Sequence, residues 1–165
     1  VEELQNKIKD LQGGDPTQVS GVQEVYDALI GAYDDYRKNK KADAADKLVK
    51  INADRLTSDV AKSCYDKIKK ATYATATKKY FEEGRDAYNG TGSYSKKDYD
   101  KSIKLLEKSL SFDENNTDAI YFLGRCYQRK SDVEKAKSYY NKIVDNYPDS
   151  KRVSEAKRRL RELGE

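Results

Sequence analysis

The stretch from Thr117 to Ser150 most constrains how this chain folds, because its small and large apolar residues have the spacing of a helical hairpin. Gly124 and Ala136 are small enough to let two helices approach closely. Tyr127 and Tyr140 are large enough to fill the space between those helices. The spacing therefore predicts two antiparallel helices that are joined by a short turn.

The ends of the second helix of this hairpin carry recognisable signals. Ser131 followed by Glu134 is typical of a capping box, which starts a helix by pairing its first free N–H groups. Pro148 ends the same helix, because proline has no N–H to donate and its ring clashes with the preceding turn. Beyond it, residues 153–163 predict one further helix, with an apolar stripe, a charged back and Gly164 at its C-terminal end.

This hairpin resembles a tetratricopeptide repeat (TPR). The residues that fall on the spacing of that repeat are Ile120, Leu123, Gly124, Tyr127, Ala136, Tyr140 and Pro148. A looser copy precedes it, with Tyr80 and Gly84 in its first helix and an enlarged, Gly/Ser-rich turn at Asn89–Lys97. The runs YYNKIVDNYPDS and KRVSEAKRRL are most similar to the TPR proteins of the bacterial cell envelope.

The resemblance implies an all-α fold, a right-handed α-α superhelix (TPR-like solenoid) of about seven helices. We expect a coiled-coil-like segment and break at 1–16, a helical region with a degenerate TPR-like hairpin at 17–76, and two repeats with a capping helix at 77–165.

The N-terminal half is also helical by pattern. Leu4, Ile8 and Leu11 form a heptad-like seam, which Gly13–Pro16 interrupts. Further helices are predicted at Val19–Lys38 and at Ala42–Ala53, and a long one runs from residues 57–58 into Gly84 without an internal Gly or Pro. The seam is a candidate surface for oligomerisation.

Composition argues against catalysis. The chain has no His, so the commonest general base and metal ligand is missing, and the sequence predicts no catalytic residue, metal or cofactor. Cys64 and Cys126 stand alone inside helical patterns, which indicates buried apolar roles, with a disulfide as the alternative.

The same composition limits the kinds of partner. A net charge of +4 is milder than the dense basic stripe of nucleic-acid binders, so no nucleic-acid partner is predicted. No apolar run reaches the length of a membrane span, and no membrane contact is predicted. Because Val1 is not a natural start, we interpret the chain as a fragment. The resemblance to cell-envelope TPR proteins favours an extracytoplasmic or membrane-anchored location over a cytoplasmic one.

The resemblance also implies a non-catalytic protein-protein interaction module that binds a protein or peptide on its concave face. Offsets from the repeat motif predict the side chains that face this groove, with Asp118 and Glu155 beside them. The predicted partner-binding residues are Lys78, Phe81, Arg85, Tyr88, Tyr121, Arg125, Gln128, Arg129, Arg152 and Arg159. Because this set is basic and aromatic, it favours an acidic ligand. The alternatives are a structural self-assembly module and a regulatory domain of a larger enzyme.

Overall fold

A computed structural model describes residue 6 and residues 16–164, and the side chains of residue 6 and residues 21–164. The predicted seam residues Leu4, Ile8 and Leu11 lie outside these residues. The described part forms seven α-helices and no strand, so the prediction of an all-α fold of about seven helices is confirmed. The helices are α1 (Pro16–Arg37), α2 (Lys41–Leu48), α3 (Asp59–Asn89), α4 (Tyr99–Leu110), α5 (Thr117–Arg129), α6 (Val133–Asn146) and α7 (Val153–Glu162).

The described residues divide into two compact units within helix α3, one up to Ala76 and one from Thr77 onward. In the N-terminal unit, α1 packs against α2 over a core that includes Tyr26, Leu29 and Leu48. In the C-terminal unit, α4 packs against α5, α5 against α6, and α6 against α7. Each unit thus buries its own apolar cluster. In the part of the chain that the structure describes, none of the helices combines the length and apolar character needed to cross a bilayer.

Of two helices predicted in the first half of the chain, one runs as expected and the other ends earlier. Helix α3 runs without a break past Gly84 to Asn89, as its lack of internal breakers predicted. The predicted helix Ala42–Ala53 was wrong at its end, because α2 stops at Leu48. After it, Asn52 accepts a hydrogen bond from the Asp54 N–H at 3.1 Å and starts a short 3₁₀ turn instead. The side-chain cap of Asn52 thus competes with continuation of the α-helix.

The α5–α6 hairpin shows why a glycine stands at position 124. A Cβ atom placed on Gly124 would lie 2.6 Å from Cε1 of the Tyr140 ring. The side chains of Ile120, Leu123 and Tyr140 are fully buried around this crossing. The close approach that the sequence predicted is therefore real, and the buried Tyr140 ring occupies the space that the glycine leaves free.

The predicted capping box at Ser131 was wrong. Ser131 has a φ of 62°, a left-handed conformation that closes the turn between α5 and α6. Asp132 caps α6 instead, and its side chain accepts a hydrogen bond from the Lys135 N–H at 3.2 Å. The Asp132 N–H donates a hydrogen bond to the Tyr127 carbonyl at 2.9 Å, which closes the turn before the helix begins. The cap therefore lies one residue later than predicted.

Buried hydroxyl groups join α4 to α3 in the C-terminal unit. Ser102 Oγ donates to the Gly84 carbonyl at 2.8 Å, and Ser109 Oγ donates to the Thr77 carbonyl at 2.9 Å. Cys126 is buried as predicted, its Sγ donates to Ser102 Oγ at 3.2 Å, and burial raises its pKa to about 11. Cys64 is only half-buried, and both cysteines are free thiols. The serine contacts place α4 firmly against the last turns of α3, where the site begins.

Candidate functional site

Five of the predicted partner-binding residues line one pocket of about 250 Å³ within the C-terminal unit. We call it the arginine pocket, and its residues are Tyr88, Arg125, Gln128, Arg129 and Arg159. Tyr88 lies at the end of α3, and Arg159 lies on α7. The other three share one face of α5, because residues three and four positions apart are neighbours on a helix. The helix packing thus brings three guanidinium groups to one place.

Aromatic rings form the wall on which Arg125 lies. Its Cζ atom is 4.6 Å from the centroid of the Tyr88 ring and 5.5 Å from that of Phe122. These two rings pack edge to face, with their centroids 5.5 Å apart, and both are buried. A guanidinium held over ring faces is attracted by their negative charge density. Among the described residues, Arg125 forms no ion pair with a carboxylate, so the rings position it without neutralising it.

Hydrogen bonds orient the neighbouring groups. The Nε–H of Arg129 donates to the Tyr88 hydroxyl at 3.4 Å, and this contact raises the pKa of Arg129. Burial and repulsion from Arg159, which lines the same pocket, oppose that rise. The Tyr140 hydroxyl donates to Oε1 of Gln128 at 3.0 Å and so fixes the orientation of the Gln128 amide.

Arg159 closes the pocket from α7, and its side chain is 22% exposed. Hydrogen bonding to Tyr121 raises the pKa of Arg159, and its Nη1 donates to Oε2 of Glu162 at 2.8 Å. Its Nε is buried and has no hydrogen-bond partner among the described residues. A buried donor without an acceptor costs about 1–3 kcal/mol, so this part of the pocket is not fully satisfied by the protein itself.

Arg152, another of the predicted residues, is held by carboxylates of this chain. Its Nε donates to Oδ1 of Asp118 at 2.5 Å, and its Nη1 donates to Oε2 of Glu155 at 2.8 Å. Lys151 Nζ lies 3.0 Å from the other oxygen of Asp118. The Arg152 Cζ atom also lies 4.9 Å from the Tyr121 ring centroid. This network ties α7 to α5.

The remaining predicted residues do not line the arginine pocket. Tyr121 is only 3% exposed, and its ring lies against the guanidinium groups of Arg125 and Arg152. Phe81 is half-buried beneath Arg85, whose Cζ atom lies 5.9 Å from the Phe81 ring centroid. Lys78 is exposed on α3. Phe81, Arg85 and Lys78 therefore form a separate stretch along α3.

The ion pairs of Asp118 make the free energy of unfolding depend on pH. Burial acts to raise the pKa of Asp118, but hydrogen bonds from Arg152 and Lys151 outweigh it and hold the pKa below its ordinary value of 3.8. A carboxyl group with a lowered folded-state pKa stabilises the fold above its unfolded pKa, and this stabilisation is lost as the pH falls through the folded pKa. We therefore expect Asp118→Asn to lower the free energy of unfolding by about 1–2 kcal/mol at pH 7.

The measurement is chemical unfolding of the wild type and Asp118→Asn at several pH values between neutrality and strong acid. The difference between the two proteins should shrink toward zero at the acid end. Asp149→Asn is a matched control, because Asp149 is exposed and forms no ion pair among the described residues. A difference for Asp118→Asn that stays constant into strong acid would contradict the assigned network.

Comparison with known proteins agrees with the helical hairpins. Residues 93–160 match the family model of the tetratricopeptide repeat, which covers α4 to α7 except the last residues of α7. No curated protein matches the chain. No solved structure matches it either. The match and the consecutive pairing of helices agree with the predicted TPR-like solenoid, and repeats of this family generally act as non-catalytic protein-interaction modules.

The lining of the arginine pocket is rich in hydrogen-bond donors. Its lining contains three guanidinium groups, an amide and a phenol, and no carboxylate. Arginine presents its N–H groups in a planar fork that matches carboxylate and phosphate oxygens. Within residues 6 and 16–164, no group of His, Cys, Asp and Glu side chains could hold a metal ion. The lining thus combines several cationic donors with no carboxylate.

Proposed function

We propose that this chain is a non-catalytic protein-interaction module that binds an acidic segment of a partner protein at the arginine pocket. The observation that carries the proposal is the convergence of Arg125, Arg129 and Arg159 on one pocket whose lining has no carboxylate. Like charges repel, so holding three cations together is unfavourable until an anion enters. The Tyr88 ring supports Arg125, the Tyr88 hydroxyl accepts a hydrogen bond from Arg129, and Glu162 accepts one from Arg159, so these arginines are held in place before a ligand arrives.

The distribution of internal ion pairs supports this choice of surface. Arg152 is neutralised by Asp118 and Glu155, whereas Arg125 and Arg129 form no ion pair with a described carboxylate. An arginine that is already paired has little further attraction for a ligand carboxylate, whereas an unpaired and partly desolvated one has more. The binding surface is therefore centred on α5 and not on the start of α7.

A second stretch of surface extends the site along α3. Arg85 lies over the Phe81 ring, and the nearest carboxylate oxygen to it, on Asp86, is 3.9 Å from its Nη2 atom. Lys78 is exposed nearby on the same helix. An extended peptide that places one acidic side chain in the arginine pocket can use this stretch for further acidic or aromatic contacts.

The test is binding of a fluorescently labelled peptide rich in Asp and Glu, followed by fluorescence anisotropy at two salt concentrations. We expect Arg125→Glu to weaken binding by about tenfold or more, because it removes one charge and adds an opposing one. Affinity of the wild type should also fall as salt rises.

Arg161→Glu is the matched control, because Arg161 is exposed on α7, lies outside the pocket and undergoes the same charge change. Circular dichroism of both variants should show unchanged helix content. Equal loss of affinity in the two variants would indicate attraction by overall charge and refute a defined site. Failure of any acidic peptide to bind the wild type would refute the proposed function itself.

We also propose that the module works in the bacterial cell envelope. The support is the similarity of YYNKIVDNYPDS and KRVSEAKRRL to the TPR proteins of that compartment. Fractionation of the source cells with an antibody against this chain tests the location, and recovery only from the cytoplasm would contradict it.

A further inference from the structure

The polar groups of the arginine pocket are arranged as hydrogen-bond donors. Oε1 of Gln128 already accepts the Tyr140 hydroxyl, so the amide presents its NH₂ end for further contacts. The oxygen of Tyr88 already accepts from Arg129 Nε, so its own proton remains available to donate. The other lining groups are guanidiniums, which have no acceptor atom. The pocket therefore suits a group that only accepts hydrogen bonds.

The charge of the pocket sets a second condition. Of its three guanidiniums, only that of Arg159 is paired with a carboxylate among the described residues, namely Glu162 at 2.8 Å. Two positive charges, on Arg125 and Arg129, therefore lack an internal counter-charge. A single side-chain carboxylate brings one negative charge and two oxygens. A phosphate monoester brings about two negative charges and three acceptor oxygens, which can be shared among several guanidiniums.

We propose that the arginine pocket binds the phosphoryl group of a phosphorylated side chain on the partner protein. This inference rests on the proposed function and names the chemical group that the pocket selects. The buried Nε of Arg159, which has no acceptor among the described residues, supports it independently of charge. An incoming phosphoryl oxygen can satisfy that donor through a small shift of the Arg159 side chain, since the remainder of the side chain is partly exposed.

The geometry favours a protein ligand over a nucleic acid. Tyr88 is only 4% exposed, and its ring already packs against Tyr99, Phe122 and Arg125. Single-stranded nucleic acids are commonly bound by stacking bases on open aromatic faces, and this ring offers none. The volume of about 250 Å³ is also below the roughly 300–1,000 Å³ of pockets that enclose a small organic molecule. The pocket thus takes a compact anionic group and leaves the rest of the ligand outside.

The experiment compares three labelled peptides of one acidic sequence that differ only at the central residue, which is phosphoserine, Glu or Ser. Affinities are measured by fluorescence anisotropy at constant ionic strength. We expect the phosphoserine peptide to bind about tenfold more tightly than the Glu peptide, because it brings more charge and one more acceptor oxygen. Inorganic phosphate should displace it at lower concentration than acetate does.

Variants test whether the preference arises in the pocket. Arg125→Gln and Gln128→Glu should each abolish most of the preference for phosphoserine, the first by removing a cation and the second by adding an acceptor and a negative charge. Arg161→Gln, which lies outside the pocket, should preserve the preference. Helix content by circular dichroism shows whether each variant is folded, and the two pocket substitutions serve as independent checks on each other.

The outcomes separate this inference from the proposed function. If the Glu and phosphoserine peptides bind equally well, the phosphoryl assignment is wrong and the acidic-peptide function stands. If none of the peptides binds, both are wrong. A single-stranded oligonucleotide of matched charge that binds more tightly than the phosphopeptide, and loses affinity in Arg125→Gln, would overturn the assignment to a protein ligand.

Discussion

Tyr140→Ala is expected to lower the free energy of unfolding of the C-terminal unit by about 3–5 kcal/mol, the usual cost of removing a large buried aromatic side chain. The Tyr140 ring is fully buried, contacts the backbone of α5 at Gly124 and packs 5.8 Å from the Tyr121 ring centroid. Its removal leaves a cavity at the centre of the α5–α6 hairpin. Hydrogen exchange followed by mass spectrometry should show faster exchange throughout α5 and α6.

Tyr140→Phe is the matched control for this loss of packing. It keeps the ring and removes only the hydroxyl that donates to Gln128 at 3.0 Å, so it should cost about 1 kcal/mol. Equal destabilisation by the Ala and Phe variants would contradict the view that ring packing, and not the hydrogen bond, holds the hairpin together.

Gly124→Val should destabilise the same unit by about 2–3 kcal/mol, through crowding and not through loss of contacts. A Cβ atom at this position lies 2.6 Å from one ring carbon of Tyr140 and 3.0 Å from two others, and the ring is fully buried, so neighbouring side chains must shift to make room. Valine also gains little over glycine in helix propensity, so the local preference of the backbone offsets only a small part of the cost. Urea unfolding measures the loss of stability, with hydrogen exchange and mass spectrometry following the peptides that derive from α5 and α6.

Two further variants show whether the contact with Tyr140 causes this effect. Gly31→Ala in α1 places its Cβ 3.4 Å from the flexible Lys47 side chain, so this change should stabilise its own unit by about 0.5–1 kcal/mol. In a Tyr140→Ala background, Gly124→Val should lose at least half of its cost, because the ring is gone. Strict additivity of the two substitutions would show that Gly124 is constrained by something else.

The repeat spacing was sufficient to predict the hairpin, because its key contacts are made by residue size alone. Gly124 has no side chain and lies opposite the large Tyr140 ring, and both residue types can be read from the sequence. The same offsets named the five residues that the structure brings together in the arginine pocket, since a helix fixes which residues share a face. What they bind stays a prediction.

The internal pairing of charges could not be predicted in the same way. Arg152 and Asp118 lie on different helices, and whether an arginine meets a carboxylate of its own chain depends on rotamers and helix packing. The prediction of a cap at Ser131 was wrong for a related reason. Ser and Asp are both good caps, and only the backbone conformation determines which of them caps the helix. Burial of Tyr121 likewise depends on two arginines that cover it.

The donor-rich lining of the arginine pocket has a consequence for how its binding affinity depends on pH. Arginine, glutamine and tyrosine side chains keep a single protonation state between about pH 5 and 8, and the chain contains no histidine. The lining of the pocket contains no histidine, carboxylate or thiol. We therefore expect a change of affinity between about pH 5 and 8 to come from ionisation of the ligand. A pH series of binding measurements would then report the pKa of the bound group.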